Sequence, residues 1–511
     1  MMSETKAPPA DDFPLSIKVE NCGDCVFCVS VCPFEALSRD EATKRVRLDK
    51  DRCRLCGLCY TACPSKLISI AYYDVDALAR SLGDLMKKNV ARTLVMACRG
   101  SEPDRQSIVA ELGTDRFIEF TLPCVGRVAL PFFLAAAEMG VEKFVVFACD
   151  EDYCRFKKGS TALGNTANTA NALLGDMGFS DESVSFKRGS NKVIPDAESK
   201  CISCGNCVSK CPYQGIKLDS GAAKFDLALC RGCGICVSEC PVTCLELQGS
   251  ETAKVSRAIA DFSGASDGPK ALAFVCMWSE FSALDIPESA PDMKLLPLPC
   301  AGRLELLHVL EAIEQGIDGV LIVTCPEEEC KQEKRGAQHA VLYEAKLESL
   351  LGGIGLSDRV SMATATPKRI GEFSRQLGQF ADKVRKTGRQ GLTGKQREDL
   401  AILKDVLRDV RIRWLLARER ELLEKGNVYG ENVPPEKWNM IFDEAVRERY
   451  IQHSILRRAR ERPMSAGELG KLLGLAPRVV LRHLVELKRR NLVEMCHGHG
   501  SQTFSAKGDC K

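Results

Sequence analysis

Twenty-four of the chain's 27 cysteines fall into one pattern of twelve that is written twice. Cysteines 22, 25, 28 and 32 recur at 201, 204, 207 and 211, and cysteines 53, 56, 59 and 63 recur at 230, 233, 236 and 240. Further along, Cys98, Cys124, Cys149 and Cys154 recur as Cys276, Cys300, Cys325 and Cys330, and all offsets lie between 176 and 179 residues. A chain that must gather thiols at so many places does not fold around a single core, and 511 residues at roughly 100–200 per domain imply three or four domains. Cysteine this dense in a large intracellular chain points to metal ligation rather than disulfides. Cys244, Cys496 and Cys510 fall outside the pattern and read as incidental thiols. With 45% hydrophobic and 27% charged residues and a net charge of +2, the composition excludes a disordered or fibrous chain. The apolar runs 128–139 and 320–323 are shorter than the roughly 18–20 residues that cross a bilayer, and residues 1–15 lack the order of a secretory signal. A cytoplasmic protein without a membrane segment is expected.

Each unit opens with two copies of Cys-x2-Cys-x2-Cys-x3-Cys-Pro, the last ending at Pro33, Pro64, Pro212 and Pro241. This spacing resembles the bacterial two-cluster ferredoxins. Three closely spaced thiolates on one tight loop hold three irons of a cubane, while the fourth, displaced and followed by proline, reaches the neighbouring cluster. The predicted ligand sets are therefore crossed. One takes Cys22, Cys25, Cys28 and Cys63, and its neighbour takes Cys53, Cys56, Cys59 and Cys32. The second unit repeats this with Cys201, Cys204, Cys207 and Cys240, then Cys230, Cys233, Cys236 and Cys211. Zinc in paired Cys-x2-Cys sites is the competing occupant, and four such motifs in two pairs leave it little room. All-cysteine ligation without an open position carries electrons rather than substrate. Gly57, Gly205, Gly232 and Gly234 let backbone amides approach the sulfurs.

Between the motif pairs the periodicity changes. Runs at 93–97, 117–122 and 143–148 read as buried strands, with helices at 128–139 and 161–177. The second unit repeats the order with strands at 271–275, 294–298 and 320–324 and helices at 303–315 and 337–351. A small α/β domain with a parallel sheet is expected. Its four cysteines would lie at the carboxyl ends of strands, where open α/β sheets place their ligands. Their spacing is not that of a cubane, and a 2Fe-2S cluster is the predicted occupant.

The run Leu122-Pro123-Cys124-Val125-Gly126-Arg127, followed by Cys149-x4-Cys154-Arg155-x3-Gly159, is similar to the delta subunit of methyl-viologen-reducing hydrogenase. The second copy, Leu298-Pro299-Cys300-Ala301-Gly302-Arg303 with Cys325-x4-Cys330, is as close. The resemblance covers about residues 92–190 and 270–365 and implies an iron-sulfur relay that couples a hydrogenase to heterodisulfide reductase. It departs from that family in one respect: the family opens with Cys-x-x-Cys, whereas Ser101 and Ser279 stand three residues after Cys98 and Cys276. Arg127, Arg303, Arg155 and Lys331 stand beside the thiolates and could offset cluster charge, although solvation serves the last two equally well. No Gly-x-Gly-x-x-Gly follows a strand and no phosphate loop or His-Glu-x-x-His occurs, so no flavin or nicotinamide site is expected in the chain.

The last quarter has a different surface: residues 383–511 carry 28 Lys and Arg against 17 Asp and Glu, while the remainder has a net charge of −9. A helical stripe runs over 397–423, and a Gly- and Pro-containing loop ends it. Helices are expected at 448–462, 465–473 and 476–491, the middle one opened by a Ser465/Glu468 capping box, followed by a strand at 492–495, a His497-Gly498-His499-Gly500 turn and a strand at 502–505. This order resembles a winged helix-turn-helix, with Arg478, Arg482, Lys488, Arg489 and Arg490 along one side of the recognition position. Such a face binds nucleic acid or an acidic protein surface, and protein docking is the preferred expectation.

The predicted architecture is multidomain α/β and α+β. It comprises a two-cluster ferredoxin module (14–72), a hydrogenase-delta-like α/β domain (90–192), a second ferredoxin module (196–250), a second α/β domain (268–382), a helical linker region (395–445) and a winged-helix-like domain (446–508). Four 4Fe-4S and up to two 2Fe-2S clusters are expected, all iron held by the same cysteines. The chain would relay electrons between a heterodisulfide-reductase-like flavoprotein and a hydrogenase, formate dehydrogenase or other oxidoreductase subunit, without a substrate site of its own. A redox-sensing winged-helix DNA-binding regulator is the alternative, and catalysis at an atypical cluster near Cys98 or Cys276 a third.

Overall fold

The computed structural model describes residues 13–23, 25–99, 101, 103, 105–151, 154–180, 182–189, 192–195, 198–264, 268–279, 292–427, 429–496 and 502–507. The predicted 497–500 turn and Cys510 lie outside them.

Each motif pair folds into short antiparallel strands and two one-turn helices. In the first module Leu15–Ile17 pairs with Ile68–Ile70 and Leu37–Arg39 with Val46–Leu48. In the second, Val193–Pro195 pairs with Leu245–Leu247 and Ile216–Asp219 with Ala222–Phe225. The helices Phe27–Val31, Leu58–Ala62, Asn206–Lys210 and Ile235–Ser238 each carry the third cysteine of a motif at their start. Gly57 and Gly234 precede two of these helices with φ of +82° and +75°, a conformation L side chains rarely adopt.

The α/β domains contain parallel four-stranded sheets. The first runs in the order Ile118–Leu122, Thr93–Cys98, Lys143–Ala148, Val184–Arg188. The second repeats it with Met293–Leu298, Ala271–Cys276, Gly319–Thr324 and Val360–Thr364. Helices Leu130–Glu138 and Gly159–Asp176 flank the first sheet, and Leu306–Glu314 and Arg335–Gly352 the second. The central strands are buried along almost their whole length, which is why they read as continuous apolar runs. The edge strands Val184–Arg188 and Val360–Thr364 are half-buried and polar in part, and the sequence pattern does not show them.

The stripe over 397–423 is two helices, Gly394–Arg408 and Val410–Lys425. Asp409 leaves the helical conformation (ψ 128°) and its side chain accepts from the Arg411 amide, so a new helix starts while the apolar face continues. Leu400, Leu403, Val406 and Leu416, with Trp438 and Phe442 of the helix Pro435–Glu461, share a core with the second α/β domain. The tail of that long helix packs with Ala466–Leu473, Pro477–Arg489 and a three-stranded sheet of Met464–Ser465, Thr503–Ala506 and Val493–Cys496. Ser465 and Glu468 form the reciprocal capping box. Cys496, expected to be an incidental thiol, is disulfide-bonded. Among the described residues no helix is long and apolar enough to cross a membrane.

Candidate functional site

The crossed pairing of cysteines predicted from spacing is the pairing the fold brings together. Burial raises the Cys28 thiol, and Cys22, Cys63 and Cys25 raise it further from close by. Cys59 is raised in the same way by burial and by Cys56, Cys53 and Cys32. In the second module Cys207, pushed up to about 12, lies among Cys204, Cys240 and Cys201, and Cys236 lies among Cys233, Cys230 and Cys211. The two sets of each module also adjoin, since Cys28 acts on Cys59 and Cys207 on Cys236. Backbone amides donate to the sulfurs at 3.3 Å (Ala36 to Cys32), 3.4 Å (Leu67 to Cys63) and 3.4 Å (Val193 to Cys230).

Each α/β domain collects its four cysteines at the carboxyl edge of its sheet. Cys98 ends its strand, Cys124 and Cys149 follow theirs, and Cys154 stands five residues further on. Cys98 is within hydrogen-bonding reach of Cys124 and Cys149, the contact with Cys124 raising its pKa most, and Cys154 lies beside Cys149. The second domain repeats this with Cys276 held low by Cys300 and Cys325, and with Cys330, held at about 6 by Cys325. A Cβ on Gly159 would collide with the Cys124 sulfur, and one on Gly336 with the Cys300 sulfur, so glycine at these helix starts makes room for the thiols. The sequence pattern marks neither glycine for that role.

Two buried arginines tie the neighbouring sets together. Arg127, 1% exposed, donates to the Leu55 carbonyl at 2.9 Å, and its charge acts on both Cys124 and Cys56. Arg303, fully buried, donates to Ser250 O at 3.1 Å and pairs with Glu305 at 3.1 Å. Both side chains fill the space a Cβ would need at Gly57 and Gly234, with Arg127 Cβ and Arg303 Cδ 2.8 and 2.6 Å from that point. Arg155 and Lys331, for which solvation is an equal expectation from sequence, are both partly buried at the contact between the halves, and burial lowers Lys331 to about 8. Cys244 is also more than an incidental thiol: its sulfur is 3.5 Å from that of Cys240, to which its amide donates at 3.4 Å. Spacing could not find it, because its partner in the first module is Leu67. Ser101 gives its hydroxyl to the Cys98 and Phe147 carbonyls at 3.0 and 3.3 Å, which places it outside the thiol set.

Sulfur-only donor sets, packed glycines and amides aimed at sulfur suit iron-sulfur clusters, whose negative charge such contacts stabilise. Among the described residues no three His, Cys, Asp or Glu converge as ligands of a single metal ion. The family model described as methyl-viologen-reducing hydrogenase, delta subunit, matches residues 115–202 and 271–388, and that of the 4Fe-4S dicluster domain matches 21–67 and 200–244. The chain carries each of these domains twice. It is similar to the iron-sulfur subunit of the F420-non-reducing hydrogenase of Archaeoglobus profundus, with 28% identity over 126 residues, 24% of this chain and 91% of that protein. The vhu iron-sulfur subunit of the F420-non-reducing hydrogenase of Methanocaldococcus jannaschii is 26% identical over 127 residues, 24% of this chain and 93% of that protein. Similarity to one chain of the ferredoxin:CoB-CoM heterodisulfide reductase of Methanosarcina mazei is 28% over 203 residues, 38% of this chain and only 25% of that protein.

Proposed function

We propose that the chain is an iron-sulfur electron-transfer subunit of a cytoplasmic, anaerobic oxidoreductase complex of the heterodisulfide-reductase/hydrogenase type. It would relay electrons between a flavoprotein partner and a hydrogenase, formate dehydrogenase or other redox subunit. The observation that carries this is the contiguity of the cysteine sets: outer set meets inner set within each module, and the inner set meets its α/β domain across Arg127 or at the contact of Cys233 with Cys300. The clusters supply one-electron transfer when bound. The twelve cysteines of each half hold two cubane clusters and, at the α/β edge, a 2Fe-2S cluster. The glycines admit the sulfurs, the amides and arginines balance charge, and the apolar surroundings exclude water.

The C-terminal segment fits a winged helix-turn-helix used for protein docking. Leu481 and Val485 lie exposed on Pro477–Arg489 in a groove shared with Arg478, Arg482 and Arg489, a mixed apolar and basic face suited to an acidic protein surface. Anaerobic purification of the native protein followed by mass spectrometry tests the proposal. Co-purification of a flavoprotein and a second oxidoreductase component is the expected result, and recovery with DNA alone would overturn it.

A further inference from the structure

The fourth cysteine of each α/β set is followed by a cation, Arg155 after Cys154 and Lys331 after Cys330, and both cations cross to the other half of the chain. Arg155 donates to Gln332 Oε1 at 3.2 Å and to the carbonyl of Arg231, inside the second inner motif, while its guanidinium lies 5.6 Å from the Trp278 ring. Its charge reaches Cys233. Lys331 lies over the ring of Phe156 in the first half at 5.1 Å, and its charge reaches Cys56 and Cys53 of the first inner set as well as Cys325 of its own domain. Tyr213, from the second ferredoxin module, fixes this loop by donating to Lys331 O at 3.0 Å.

The seam is apolar elsewhere. Phe34, two residues after Cys32, packs edge-on against Phe156 at 6.4 Å, and Phe156 against Trp278 at 6.0 Å. Trp278 stands two residues after Cys276, so aromatic rings run without a break from the first inner set to the second α/β set. Cys276, Trp278 and Cys325 belong to the same buried cluster as Cys56, Cys98 and Cys124. Arg99 donates across the seam to the Met277 carbonyl.

We propose that the two halves form one redox body, in which each inner set (Cys53, Cys56, Cys59, Cys32 and Cys230, Cys233, Cys236, Cys211) is a junction facing both α/β domains: its own beside Arg127 or Arg303, and the opposite one through Lys331 or Arg155. This rests on the iron-sulfur assignment. Electrons then pass between halves at the seam as well as along each half. The step is an outer-sphere transfer: one centre loses one electron, its neighbour gains it, and no bond or proton moves. Lys331 and Arg155 are positioning residues. A partly buried positive charge beside a cluster favours its more negative, reduced form, so each cation raises the reduction potential of the inner centre in the opposite half.

The test is an EPR-monitored redox titration of the anaerobically purified full chain carrying Lys331→Met, Arg155→Met or both. Each single variant is expected to weaken reduction of one cubane signal about tenfold, ~59 mV for one electron. The two variants are expected to shift different signals, the double variant both, and Lys331→Arg to restore the first. Should Lys331→Met lose iron, the same titration on Lys331→Gln decides. Unchanged potentials at full iron content, or one signal shifted by both variants, would overturn the seam while leaving the relay in place. A purified chain without clusters would overturn both.

Discussion

The two halves share a cysteine skeleton and a sheet topology but differ in what covers them. In the first half the outer set lies near the surface: Cys25 is exposed and Phe27, next to Cys28, is 55% exposed. In the second, Val410–Lys425 lies across the outer set. Arg418 donates to the Cys204 carbonyl at 2.5 Å, and Arg413 donates to Cys240 O at 3.0 Å and pairs with buried Glu305 at 3.1 Å. Next to them Glu239 is held by His339 at 2.8 Å and Lys346 by Glu419 at 3.0 Å. Duplication has kept the residues that bear thiols and changed their surroundings. The open first half is suited to exchanging electrons with a partner, and the covered second half to being read through the helices built on it.

The largest separation of the halves is expected from the paired glycines. Gly159→Ala and Gly336→Ala place a methyl group where the Cys124 or Cys300 sulfur sits. Each should cost about two irons per chain, the content of one 2Fe-2S cluster, and remove a different component of the visible spectrum. Loss of the same component from both variants would break the comparison.

Arg413→Ala removes a buried charge that has no counterpart over the first module, leaving Glu305 beside Arg303 alone. A cost of about 3 kcal/mol is expected, read by denaturant unfolding and by selective loss of the second half's signals. A variant as stable as the parent would show that the covering helices are not coupled to that set.

His308 sharpens the contrast more finely, because Phe132 occupies the matching position of the first domain. Burial lowers the His308 pKa to about 4. Since the folded value is depressed, the stabilisation is present above the ordinary value near 6.5 and is lost as pH falls from there toward 4, by at most about 3 kcal/mol. His308→Phe should flatten stability between pH 7 and 5 relative to the parent; parallel curves would contradict this. The smallest effect is expected from Cys244→Ala, which removes the thiol 3.5 Å from Cys240. It should leave iron content intact and shift only the potential of the second outer set by less than tenfold in the reduction equilibrium, under ~59 mV.

The thiol sets were legible because ligand geometry is local. Three cysteines on one loop and a displaced fourth before proline dictate the crossing, and buried parallel strands announce themselves as apolar runs. The edge strands Val184–Arg188 and Val360–Thr364 were hidden by half-burial, and the break at Asp409 by a stripe that stays in phase across it. Gly159, Gly336, Cys244 and the crossing of Arg155 and Lys331 depend on tertiary proximity between residues up to 177 apart, which no local pattern encodes.

Stoichiometric reductive titration of the anaerobically purified full chain tests the central claim most directly. Six cysteine sets that each hold a cluster predict about twenty irons and uptake of about six electrons per chain. About four irons and one or two electrons would contradict the relay and leave the duplicated cysteines without their proposed role.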